Sequence, residues 1–208
     1  MKKVFLKNKN IERSGFTLVE LIVVVVIIAT VSALSLFNSS KLNSSVLLSN
    51  TAYEVGLIVR DAQISGLGAR VLSLDNDGVA TTSSQGVYFD INTPERIIYF
   101  ADKDNDNFYD IGEESQTYQI ENKRAGKILK MCKILNNNTC EDISNLAVIF
   151  KRPNPEAYFY MTGDATNHTT GLGYQGSVVV NIGFTNTDCK SIIIYKTGAI
   201  QIDNSFCN

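Results

Sequence analysis

The sequence predicts an α+β protein: a long N-terminal helix followed by a globular head built on antiparallel β-sheet. Three observations carry this expectation. Residues 16–37 are apolar almost throughout, with one charge, Glu20. Leu48, Ala52, Val55, Val59 and Ala62 then recur in steps of four and three, the spacing of one helix face. Beyond residue 69 the pattern changes to short β-rich runs separated by Asn, Asp, Gly and Ser. A long helix followed by many short strands reads as antiparallel α+β and not as βαβ units.

Composition bounds the class. The chain has 208 residues, 44% hydrophobic and 19% charged, which fits one folded domain with an extension and excludes a disordered or polytopic chain. The formal net charge is −2. Residues 1–15 carry Lys2, Lys3, Lys7, Lys9 and Arg13 against Glu12, or +4, which leaves −6 on the remaining 193 residues. A chain of that sign offers no general basic surface to nucleic acid. With one His and no Trp, His-rich metal sites and most His-based relays are excluded.

The elements follow in order. Residues 1–15 form a basic leader. As a helix, the 22 residues 16–37 extend about 33 Å at roughly 1.5 Å per residue. That length crosses a hydrocarbon core of about 30 Å. A secretory signal peptide has a shorter apolar stretch, about 7–15 residues, and an Ala-x-Ala-like site after it; neither feature fits. The lysines precede the span, so the expected topology is single-pass, with a cytoplasmic N-terminus and an exported head. A charge within such a helix costs about 2.5–3.5 kcal/mol, which marks Glu20 as functional and in need of a partner. Residues 38–68 continue the helix beyond the membrane, and Gly66 and Gly68 end it. The head, 69–208, has candidate strands at 71–74, 87–91, 96–101, 117–120, 127–132, 146–151, 157–161, 177–184, 191–196 and 199–202. Thr197-Gly198 reads as a tight hairpin turn. Residues 151–155, with Pro153 and Pro155, read as a loop, because neither Pro can donate to a ladder.

The junction Arg13-Ser14-Gly15-Phe16-Thr17-Leu18-Val19-Glu20 resembles the class III signal of type IV pilins and type II secretion pseudopilins. The resemblance implies cleavage by a prepilin peptidase between Gly15 and Phe16 and N-methylation of Phe16. It implies that Glu20 meets the positive N-terminus of a neighbouring subunit during assembly. It further implies a pilin-like fold, and as partners other pilin or pseudopilin subunits, the inner-membrane assembly platform and membrane lipid. The head would be periplasmic, in a filament or pilus. The helix seam near Arg60-Asp61-Ala62 and the stretch from Cys189 to Gly198 resemble, more distantly, the GspH/FimT-type minor subunits. The expectation is a minor pseudopilin of type II secretion, with a minor type IV pilus subunit as the alternative. A DNA-uptake role is disfavoured, because FimT-like DNA receptors carry Arg-rich tails and residues 198–208 contain no Arg or Lys.

Four cysteines in an exported head point to disulfides. Cys132 with Cys140 and Cys189 with Cys207 is the simplest of three connectivities. A Cys-zinc site competes, but there is no CxxC spacing and no nearby His.

The most informative stretch of the head is 102–113. Asp102, Asp104, Asp106, Asp110 and Glu113 occupy positions 1, 3, 5, 9 and 12 of a calcium loop, with Phe108 offering its backbone carbonyl at position 7. Position 6 is Asn107, which tolerates the left-handed conformation in place of Gly. The preceding segment reads as a strand, so this is no helix–loop–helix hand. The competing reading is a solvated acidic loop.

Gly171, Gly173 and Gly176 fit a dinucleotide fingerprint in spacing only, since they lead into a strand. His168 has no Cys nearby. The sequence offers no catalytic centre, and the expectation is a structural protein that is not an enzyme.

Overall fold

The structure is a computed structural model. It describes residues 15–68, 73–74, 80–81, 83–120, 126–135, 139–161 and 173–207, with backbone alone at 35–43, 73–74 and 80–81. The leader before Gly15, residues 71–72 of the first expected strand, Gly171 and His168 lie outside the described residues.

The architecture is α+β, with one long helix and antiparallel sheets. Helix α1 covers Leu18–Leu67. Thr17 caps it: the Glu20 N–H donates to Thr17 Oγ1 at 3.3 Å and the Leu21 N–H to the Thr17 carbonyl at 3.2 Å. Gly68 closes the last turn on the Ile64 carbonyl at 2.8 Å.

The chain divides into two compact units between Leu42 and Asn43. In the first, every described side chain from residue 15 to residue 34 is exposed. Among the described residues no helix is long and apolar enough to cross a membrane. The span expected over 16–37 runs past residue 34, beyond which side chains are not described, so it lies partly outside the described residues.

The second unit, from Asn43 onward, takes in the later part of α1. All five seam residues, Leu48, Ala52, Val55, Val59 and Ala62, are at most 2% exposed. Strands β1 (Ser73–Leu74) and β2 (Ala80–Thr81) form a small antiparallel pair. The first large sheet has the order β5-β4-β3-β8-β9, from β3 (Ser84–Asp90), β4 (Arg96–Asp102), β5 (Glu114–Gln119), β8 (Asn145–Phe150) and β9 (Ala157–Tyr160). The second has the order β12-β11-β10-β6-β7, from β6 (Lys127–Ile134), β7 (Cys140–Ile143), β10 (Ser177–Thr185), β11 (Asp188–Ile194) and β12 (Ile200–Asp203). All pairings are antiparallel.

Alternation along the strands sorts residues between two faces. Val87, Phe89, Ile97, Leu146, Val148 and Phe150 of the first sheet join Val178, Val180, Ile182, Ile192 and Ile194 of the second and the helix seam in one core. Each sheet also has an apolar outer face. On the first, Ile98, Phe100, Ala147, Ile149 and Tyr160 form a cluster. On the second, Cys132, Val179 and Ile193 form another. Two-sided burial explains why β4, β8 and β10 read as near-continuous apolar runs.

Strands β2 and β7 are not anticipated by the sequence reading. In β7, Cys140-Glu141-Asp142-Ile143 has no apolar alternation to read, because it is an edge strand whose carboxylates face solvent and pair with Lys133 and Lys130 of β6. Strand β5 begins at Glu114, three residues before the expected 117, because its polar stretch is likewise an exposed edge.

Candidate functional site

Two regions carry the sequence-derived site residues, one in each compact unit. At the N-terminus, Phe16 stands 83% exposed, ahead of the Thr17 cap. Thr17 and Glu20 are spaced as a capping box, so the Glu20 carboxylate sits in the positively polarised first turn. The Thr-x-x-Glu spacing ahead of an apolar run is the sequence signature of this cap. Leu21, Ile22, Val23, Val24, Val25 and Val26 follow one another with no polar side chain between them, so the apolar surface circles the helix.

In the head, residues 102–113 connect β4 to β5 and fold over the outer face of the first sheet. Phe108 stacks edge-on to Tyr88 at 5.7 Å, and Tyr109 lies 4.8 Å from Tyr88 and 5.5 Å from Phe100. The Tyr109 hydroxyl donates to Glu114, and burial followed by this bond pushes its pKa up to about 12. Asn105 and Asn107 take φ of 62° and 72°, so position 6 has the left-handed backbone that the calcium pattern needs.

Asp102, Asp104 and Asp106 converge: one carboxylate oxygen of each lies within 4.8 Å of the other two. Asp104 also accepts the Asp106 N–H at 3.2 Å, and Asp106 the Phe108 N–H at 2.7 Å. Asp102 has no exposed surface, and neither of its carboxylate oxygens has a hydrogen-bond partner. Burial, then the neighbouring Glu113 charge, pushes its acid up to about 6, while Lys151 pulls the other way.

Asp110 and Glu113 are not in the converging set. Glu113 joins the two ends of the loop, accepting the Lys103 N–H at 2.6 Å and the Asp110 N–H at 3.1 Å. Lys103 reaches across to the Gly112 carbonyl at 2.6 Å.

The cysteines form two disulfides, Cys132–Cys140 and Cys189–Cys207. The first ties β6 to β7. The second holds the C-terminal segment against the outer face of the second sheet, where Phe206 packs on the Cys132, Val179 and Ile193 cluster. Asn181 Nδ2 donates to the Phe206 carbonyl at 2.6 Å, and the Phe206 N–H to Ser191 Oγ at 3.2 Å.

Gln63 escaped the sequence reading. It lies buried in the last turns of α1 and takes a bond from Arg60. Its Nε2 donates to the Pro155 carbonyl at 2.8 Å and to the Gly198 carbonyl at 3.4 Å. Nothing in local sequence marks such a node, because its partners are 92 and 135 residues away.

Residues 12–36 match the prokaryotic N-terminal methylation motif, the class III prepilin signal of type IV pilins and pseudopilins. No curated protein and no solved structure matches the chain.

Proposed function

We propose that this chain is a structural subunit of a pilin-type filament, and within that class a minor pseudopilin of a type II secretion system. The observation that carries the proposal is the methylation motif over residues 12–36, running into a helix whose described side chains are exposed as far as residue 34. A Val- and Ile-rich run has modest helix propensity in water. In lipid the backbone must satisfy its own hydrogen bonds, and a helix does so. The segment from Phe16 onward, helical from Leu18, therefore fits an anchor in the inner membrane and a core in the filament. On assembly, the Glu20 carboxylate meets the N-terminal amine of a neighbouring Phe16. The head, with its two disulfides, fits the periplasm.

The test is the intact mass of the chain purified from membranes of cells with an active prepilin peptidase. The expected species starts at Phe16 and carries one added methyl group. A chain starting at Met1 would overturn the reading, as would a processed chain absent from isolated filaments.

A further inference from the structure

We propose that the loop 102–113 binds calcium through Asp102, Asp104 and Asp106, and that the ion clasps the loop over the outer face of the first sheet. The acidic spacing alone would not carry this, because acidic turns are common without an ion. The independent observation is Asp102. It is fully buried, both of its oxygens lack a hydrogen-bond partner, and one of them faces those of Asp104 and Asp106 within 4.8 Å. A buried carboxylate without hydrogen-bond partners is costly unless a charge compensates it, and the attraction of Lys151 is outweighed by burial and by the Glu113 charge. The internal hydrogen bonds of the loop do not serve Asp102. They go to Glu113, Asp104 and Asp106, and they set the frame that holds the three aspartates together.

The chemistry of the donors selects the ion. The set is oxygen only, and among the described residues no cysteine is free. Such donors suit a hard cation. Calcium accepts six to eight oxygens in flexible geometry, whereas magnesium demands near-ideal octahedra. A loop with two left-handed Asn residues and alternating aspartates fits the former.

The two sheets explain why a clasp belongs here. The outer face of the second sheet is covered by a segment tied covalently through Cys189–Cys207. The outer face of the first is covered by Phe108 and Tyr109 from the acidic loop, which contains no cysteine. A cation joining the end of β4 to the middle of the loop performs the corresponding task. This inference does not depend on the filament reading, and its test is separate.

The experiment uses the full chain in detergent micelles, with calcium chloride at about 5 mM or with EDTA. A site of the extracellular type has a Kd of about 10⁻⁴–10⁻³ M. At roughly ten times Kd, binding should raise Tm by about 3–6 °C. Terbium, excited through the nearby Tyr88 and Tyr109, should luminesce and be displaced by calcium. Asp104→Ala combined with Asp106→Ala should abolish both signals, and Glu141→Gln on the distant edge strand should leave them intact. Asp102→Asn removes the buried charge, so its Tm in EDTA should exceed that of the wild type and calcium should add nothing. The proposal is overturned by an unchanged wild-type Tm with no calorimetric heat, or by a calcium shift that survives in the double variant. A lower Tm of Asp102→Asn in EDTA would equally overturn it, by making Asp102 a structural partner and not a ligand.

Discussion

Two residues show how differently single side chains can act in this chain. Glu20 is expensive in lipid, at about 2.5–3.5 kcal/mol, and its local return is a place in the helix cap. Glu20→Ala should therefore leave membrane association intact, as read by fractionation, while co-purification with partner subunits falls. Normal co-purification would remove the assembly role. Gly198 acts through backbone geometry. Its φ is +80°, and a Cβ there would collide with the Gln63 amide and the Pro155 carbonyl. Gly198→Ala thus adds left-handed strain of about 1–2 kcal/mol. It also displaces Gln63 from its two acceptors, at a further cost of about 1–3 kcal/mol. Urea unfolding should show a total loss of about 2–5 kcal/mol, and a loss below 1 kcal/mol would mean that the turn relaxes freely. The turn at Thr197-Gly198 was legible from the residue types. The Gln63 bonds were not, because they exist only once the helix and the turn have met.

At the level of elements, legibility followed burial. The seam from Leu48 to Ala62 was readable because a helix face buried on a sheet repeats with helical period. The strands with apolar faces were readable for the same reason, whereas β7, an edge pinned by exposed charges, was not. Its ion pairs with β6 are 2.9 and 3.1 Å long, but their solvent exposure limits each to about 0–1 kcal/mol. The spacing of 102–113 was legible as a calcium pattern, while its task as a cover over Tyr88 and Phe100 was visible only in the fold. The disulfides were legible as cysteines in a head expected to be exported, and the pairing that the sequence offered as the simplest of three is the one the structure has. Of the two, Cys189–Cys207 closes the larger loop, with a separation of 18 residues. Replacing both of these cysteines with Ala should cost about 2–4 kcal/mol in urea unfolding. It should also expose the segment around Phe206 to limited proteolysis before the sheets unfold. A tail that stays protected would show that the Asn181 and Ser191 bonds to Phe206 suffice without the covalent tie.

For the molecule as a whole, charge decides between partners. Processing after Gly15 would remove a net +4 and leave the chain at −6. Of the nine lysines beyond Gly15, five are engaged among the described residues. Lys130 and Lys133 are paired with Asp142 and Glu141. Lys103 donates to the Gly112 carbonyl and Lys196 to Gln175. Lys151 lies over the Tyr158 and Tyr160 rings at 5.5 and 5.9 Å. Nonspecific DNA binding draws its free energy from counterions released by several phosphate contacts, and log K falls with log salt by about 0.9 for each contact. A chain that is acidic overall, with five of its lysines so engaged, is poorly supplied with such contacts. The processed chain in detergent should therefore leave both duplex and single-stranded DNA unshifted on a native gel at about 50 mM salt. A retarded band with a salt slope of three or more phosphates would reveal a local basic track that outweighs the net charge, and would move the chain from secretion or pilus assembly toward DNA uptake.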